Sequence, residues 1–102
     1  MIHVIATVEV NEGCKEKYIE VFKQNVPPVL AEEGCIAYGP AVDVDSGLHV
    51  QGPVRENVVT IIEAWESLSH LHAHLATPHM AEYHEKTKGM VRDVSLQVLE
   101  PV

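Results

Sequence analysis

Positive charge is scarce in this chain: seven Lys and Arg stand against fifteen Asp and Glu, leaving 102 residues at a formal charge of -8. So acidic a surface argues against nucleic acid as a partner, because neutralising phosphates takes Lys and Arg. Long apolar runs are missing too. No stretch approaches the roughly 20 residues that span a bilayer, so no membrane is expected as a partner. The opening MIHVIATVEV alternates as a strand does and lacks the basic start and cleavage site of a secretory leader, so a cytoplasmic location is expected. Cysteine is limited to Cys14 and Cys35, near opposite ends of a predicted helix roughly 30 Å long at about 1.5 Å per residue. That separation disfavours a disulfide, and two free thiols fit a reducing compartment. With no repeat, linker or low-complexity tail, residues 1–102 read as one domain.

What is present reads as alternating strands and helices. Residues 2–10 form a strand with Ile2, Val4, Ala6, Val8 and Val10 on one side. A helix follows, with Cys14, Tyr18, Phe22, Val26 and Leu30 along an i, i+4 row. Pro27-Pro28 should kink or restart it, and Gly34 suits its C-terminal cap. A second strand over 35–45 is expected to break near Gly39-Pro40, and 46–56 is irregular. The third strand spans 57–66. Ser67 caps a short helix with a Leu68, Leu71, Leu75 stripe, and Thr77-Pro78 starts another, to about Lys88. Val94, Leu96 and Val98 mark the closing strand. The order β-α-β-β-α-β predicts an α+β, ferredoxin-like antiparallel sheet with helices on one face. The third strand is apolar on both faces, so the helix-free face calls for a cover, and a second copy in a homodimer supplies it.

Five of the seven histidines, with the lone tryptophan, fall within residues 63–84. His70 and His74 have the i, i+4 spacing that can grip a metal, but no third ligand or acidic partner accompanies them in a zinc pattern. Histidines on the wet side of a helix are mostly just solvated, and no metal is expected. On the next helix Met80, Tyr83, His84 and Thr87 share a face, which places His84 towards the interior. His79 lies in the first turn, where the helix dipole disfavours the imidazolium. It can serve as a neutral proton acceptor or simply help to cap the turn. Glu63 and Trp65 share one side of the third strand. Burial there would raise the Glu63 pKa and make it a candidate proton acceptor, unless it forms an ion pair at an interface rim. Tyr38, close after Gly34, can direct its phenol into the same space.

The segments "EEGCIAYGP" and "NVVTIIEAWESLSHLHAHLATPHM" resemble the antibiotic biosynthesis monooxygenase family, including its quinol-monooxygenase-like members. The resemblance rests on Glu33-Gly34 with Tyr38, on Glu63-Ala64-Trp65, and on Ser67, Leu71, His74 and Thr77-Pro78-His79. It implies a ferredoxin-like subunit pairing into a dimeric α+β barrel. It also implies oxidation of a small aromatic or quinol substrate by O₂ without metal, flavin or haem. On that reading His74 or His79 takes or shares the hydroxyl proton, and Glu63 or Tyr38 orients the ligand. Trp65 walls the pocket, while Tyr38, Tyr83 and His84 contact the substrate. Other relatives isomerise or cleave small phosphorylated sugars, and a non-catalytic ligand-binding dimer is a third possibility. A haem-degrading branch shares the fold. His84 stands where that branch has its iron ligand, but His74 replaces its helical Trp, and its first-strand Asn is missing.

Overall fold

The computed structural model describes all 102 residues, Met1–Val102. Its elements run β1 (Ile2–Val10), α1 (Lys15–Leu30), β2 (Cys35–Ala41), β3 (Val58–Trp65), α2 (Leu68–Leu75), α3 (Pro78–Thr87) and β4 (Val91–Leu99). The four strands form one antiparallel sheet in the order β2-β3-β1-β4. The predicted ferredoxin-like plan holds, with its second helix divided into α2 and α3. Two side-chain caps make that division: Ser67 Oγ accepts from the His70 N–H, and Thr77 Oγ1 from the Met80 N–H. Pro78, at the start of α3, needs no donor there.

Alternation in β1 is complete. Ile2, Val4, Ala6, Val8 and Val10 are buried under the helices. The register Val4↔Glu63, Ala6↔Ile61 and Val8↔Val59 extends that face across β3, and Tyr38↔Glu63 extends it to β2. On the opposite face, Ile5 pairs with Ile62, which stays 48% exposed. The helices pack over β2 and β3, α1 against β2 and α3 against α1. Val94, Leu96 and Val98 pair with Val8, Ala6 and Val4, so they point to the helix side, yet each remains about half exposed.

Several local expectations are corrected. The buried stripe of α1 is Tyr18, Val21, Phe22, Asn25 and Val29, while Leu30 is exposed. A strict spacing of four gains about 40° per step on a helix of 3.6 residues per turn, so the expected row winds off the core. Pro27 and Pro28 do not restart the helix. They occupy its last turn, where only two donors are lost. The C-cap is Ala31, and Gly34 serves instead in the following turn at φ +80°. β2 is not interrupted at Gly39-Pro40, because an edge strand tolerates a missing donor; its irregularity falls between Cys35 and Ala37. It ends at Ala41, and the irregular segment runs over 42–57, pinned by a two-pronged pair from the Arg55 guanidinium to Asp43. That pair holds the Asp43 carboxyl well below the usual carboxylate range.

Candidate functional site

Helix α2 is turned differently from its leucine pattern. Leu71 and His74 face inward, whereas Leu68 and Leu75 are half exposed. Only one turn of an eight-residue helix can reach the sheet, and Leu71 and His74, three apart, occupy it. His74 is therefore among the most buried side chains in the chain, at 1% exposure. Its ring lies 4.6 Å from the Trp65 ring and 5.4 Å, edge-on, from Tyr38. A polar ring so placed needs a partner. It finds Glu32, whose Oε2 lies 2.8 Å from His74 Nδ1.

The same Glu32 oxygen lies 2.7 Å from His79 Nε2. An ionised carboxylate only accepts, so both facing ring nitrogens must carry hydrogen. For a neutral His74 this fixes the tautomer: Nδ1 is the N–H, and Nε2 keeps a lone pair. No protein group bonds Nε2, and no buried polar atom lacks a partner, so that nitrogen retains surface access. His74 itself lines a largely apolar cavity. Its Nε2 is left as the ring's acceptor by the bond from Nδ1 to Glu32.

Glu32 is held in place by the turn after α1. Its N–H donates to Val29 O, its carbonyl accepts from the Cys35 N–H, and the Glu66 N–H donates to Gly34 O. The His70 ring lies against Gly34 so closely that a Cβ there would sit 2.2 Å from it. Glycine is therefore required twice, for its positive φ and for this contact. His70 is held by Ser67 Oγ, 2.7 Å from Nδ1. The link joins the turn bearing Glu32 to the helix bearing His74.

The cavity has a volume of ≈ 370 Å³ and lies between the helix face of the sheet and α2–α3. Such a size suits a small organic ligand. Tyr38, Glu63, His74, Met80, Tyr83 and His84 contribute to its lining, with Ile61, Val94 and Leu96 among the apolar residues. Glu63 accepts from Trp65 Nε1–H at 2.9 Å. Burial raises its pKa, opposed by that hydrogen bond and by His74. The Tyr38 phenol is pushed up strongly, first by burial and then by Glu63. Tyr83 is raised in the same sense by burial, and its hydroxyl bonds that of Tyr18. These phenols stay protonated at any physiological pH.

Five of the seven residues expected at the site line this cavity: His74, Glu63, Tyr38, Tyr83 and His84. Trp65 does not wall it. The indole is fully buried beside His74, and its visible task is to hold Glu63. His79 lies behind Glu32, its ring partly exposed, and lines a separate ≈ 130 Å³ groove between α1 and α3. His84 is exposed rather than interior, because only Met80, Tyr83 and Thr87 of its helix face reach the core. The sequence reading missed Glu32. It weighted the neighbouring Glu33, whose side chain is 94% exposed. No local pattern marks Glu32, because its partner lies 42 residues away. Residues 42–57 contribute nothing to the cavity lining.

Comparison with known proteins bears on this arrangement. Residues 1–86 match the antibiotic biosynthesis monooxygenase family. The probable quinol monooxygenase YgiN of Escherichia coli K12 is 41% identical over 99% of this chain and 98% of its own length. Among solved structures, a Bacteroides thetaiotaomicron protein is 32% identical with a TM-score of 0.77, covering 96% of this chain and 94% of that one. A Pseudomonas aeruginosa protein, 22% identical, superposes with a TM-score of 0.81 over 99% of this chain and 93% of its own. The chain belongs to the antibiotic biosynthesis monooxygenase family.

Proposed function

We propose that this family member is a cofactor-independent monooxygenase that oxidises a small quinol or phenol with O₂ and works as a homodimer. The observation that carries the reading is a buried His74 in the cavity lining whose Nδ1 is bonded to Glu32, so that Nε2 is left as the acceptor. The name of the Escherichia coli relative supports a quinol as the substrate class.

The chemistry follows from the residues. His74 Nε2 takes the hydroxyl proton of the bound ring, and Glu32 stabilises the imidazolium through Nδ1–H. The resulting electron-rich anion itself reduces O₂, and a carbon–oxygen bond forms on the ring. The imidazolium returns its proton to the peroxide, which loses water as the ring carbon becomes a carbonyl. For a hydroquinone the balance is one quinol plus one O₂ giving one hydroxyquinone plus one water. Burial biases Glu63 towards its neutral form, which can donate to the developing oxyanion. Lys88 is the sole Lys or Arg in the lining, which disfavours a phosphorylated sugar as the ligand. The half-exposed Ile62 beside Ile5 on the helix-free face supports the homodimer.

Oxygen uptake with a panel of hydroquinones tests the reading. Turnover should require O₂ and should collapse in a variant lacking both His74 and His79. Undiminished activity in that double variant, or equal turnover without oxygen, overturns it. Light scattering should give twice the 11.3 kDa chain mass.

A further inference from the structure

We propose that Glu32, His74 and His79 form a binding site for a divalent first-row transition-metal ion, and that occupancy switches off the base assigned to His74. Glu32 Oε2, His74 Nδ1 and His79 Nε2 all lie within 4.8 Å of one another. The three come from separate elements: the turn after α1, α2 and the first turn of α3. Two imidazoles and one carboxylate are the donor set of zinc, cobalt, nickel or ferrous iron, not of magnesium or calcium, which prefer oxygen alone. The surroundings favour a cation. Glu32 pairs with no Lys or Arg, only with the two rings. The Glu32 and His74 side chains are 11% and 1% exposed, whereas His79 is 26% exposed and leaves a path for entry.

Donors sharing one ion at about 2.1 Å lie about 3.4 Å apart when tetrahedral. The nitrogen–oxygen separations here, 2.8 and 2.7 Å, are those of hydrogen bonds. Binding must therefore lengthen each nitrogen–oxygen separation by about 0.6 Å. His79 can supply that movement, since its ring is partly exposed and has no bond except to Glu32. The protons balance without net release. Each neutral ring shifts its hydrogen to the other nitrogen, and Glu32 coordinates as the anion. For His74 this moves the hydrogen from Nδ1 to Nε2. The acceptor assigned to His74 becomes a donor and can no longer take a substrate proton. The switch rests on the functional reading above; the binding site does not.

Zn²⁺ and Co²⁺ titrated into the chelator-treated full chain, followed by calorimetry and by the visible spectrum of Co²⁺, test the site. One ion per chain is expected, with no competition from Mg²⁺. Glu32→Ala and His79→Ala should each weaken binding by at least about 100-fold, beyond what loss of an outer-shell partner costs. His72→Ala, which removes an exposed ring from α2, should leave affinity unchanged. Equal affinity in the Glu32 and His79 variants, dependence on His72, or no saturable binding overturns the site. Quinol turnover should fall with occupancy and return with chelator; a filled site with full turnover overturns the switch. Should the wild type oxidise no quinol at all, the functional reading fails, while the titrations still decide the site.

Discussion

The cavity wall made by β3 and α2 is closely packed, whereas the wall made by β4 is half exposed. On the first, every polar group is held: Glu63 by Trp65, His74 by Glu32, and the turn bearing Glu32 by the Gly34–His70 contact. On the second, Val94 and Leu96 are about half exposed, and His84 and Lys88 reach the rim without burial. The difference separates two tasks. On the proposed function, the groups that must keep their geometry sit where packing fixes them, and the ligand enters by the loosely covered side. Substitutions on the first wall should therefore change kcat, and substitutions on the second should change KM.

His74→Ala is expected to have the largest effect, lowering kcat by about 10²- to 10⁴-fold, the range for loss of a general base. His74→Gln, which fills more of the buried space, should show the same loss and so separates chemistry from packing. Retention of full kcat in both would remove the distinction between the walls. Glu32→Ala comes next, with kcat lower by about 10²-fold, at the low end of that range, because the ring remains but its tautomer is no longer fixed. Gly34→Ala acts one step further out. It forces a left-handed residue, which costs about 1–2 kcal/mol, and drives the His70 ring from its seat. Thermal melts should show a loss of about 4–8 °C for each kcal/mol, together with reduced kcat as Glu32 shifts. Leu96→Ser, on the open wall, should raise KM about 3- to 10-fold at nearly constant kcat, since the change removes part of a half-exposed apolar contact.

The fixed wall was also the more legible one. Period-two alternation placed Ile2 to Val10 and the pair Glu63 and Trp65 on their true face, because a strand has only two faces to choose between. Ser67 and Thr77-Pro78 announced both helix starts, because capping is local chemistry. Helix rotation was less legible. Three leucines in α2 outvoted His74 on hydrophobicity alone, and the same arithmetic turned His84 inward. What reversed the first was tertiary: a carboxylate from the turn after α1 partners a buried imidazole, and its neighbour in the chain, Glu33, carries the same letter. No spacing rule links position 32 to position 74.

Glu63 gives the smallest effect and the finest test of the fixed wall. Burial raises its carboxyl pKa above the ordinary 4.5. As pH rises past that value the unfolded chain ionises first and the folded chain keeps its proton. The unfolded state then binds fewer protons, so stability falls with rising pH until the folded group has titrated too. Glu63→Gln keeps an oxygen for Trp65 Nε1–H and has no charge to bury. Its stability relative to wild type should therefore be lowest in acid and grow through that window, then level off above it. Urea unfolding of both chains across the window measures this difference. A wild-type curve parallel to the Glu63→Gln curve would mean that the carboxylate is already solvated, and that this wall is as open as the one made by β4.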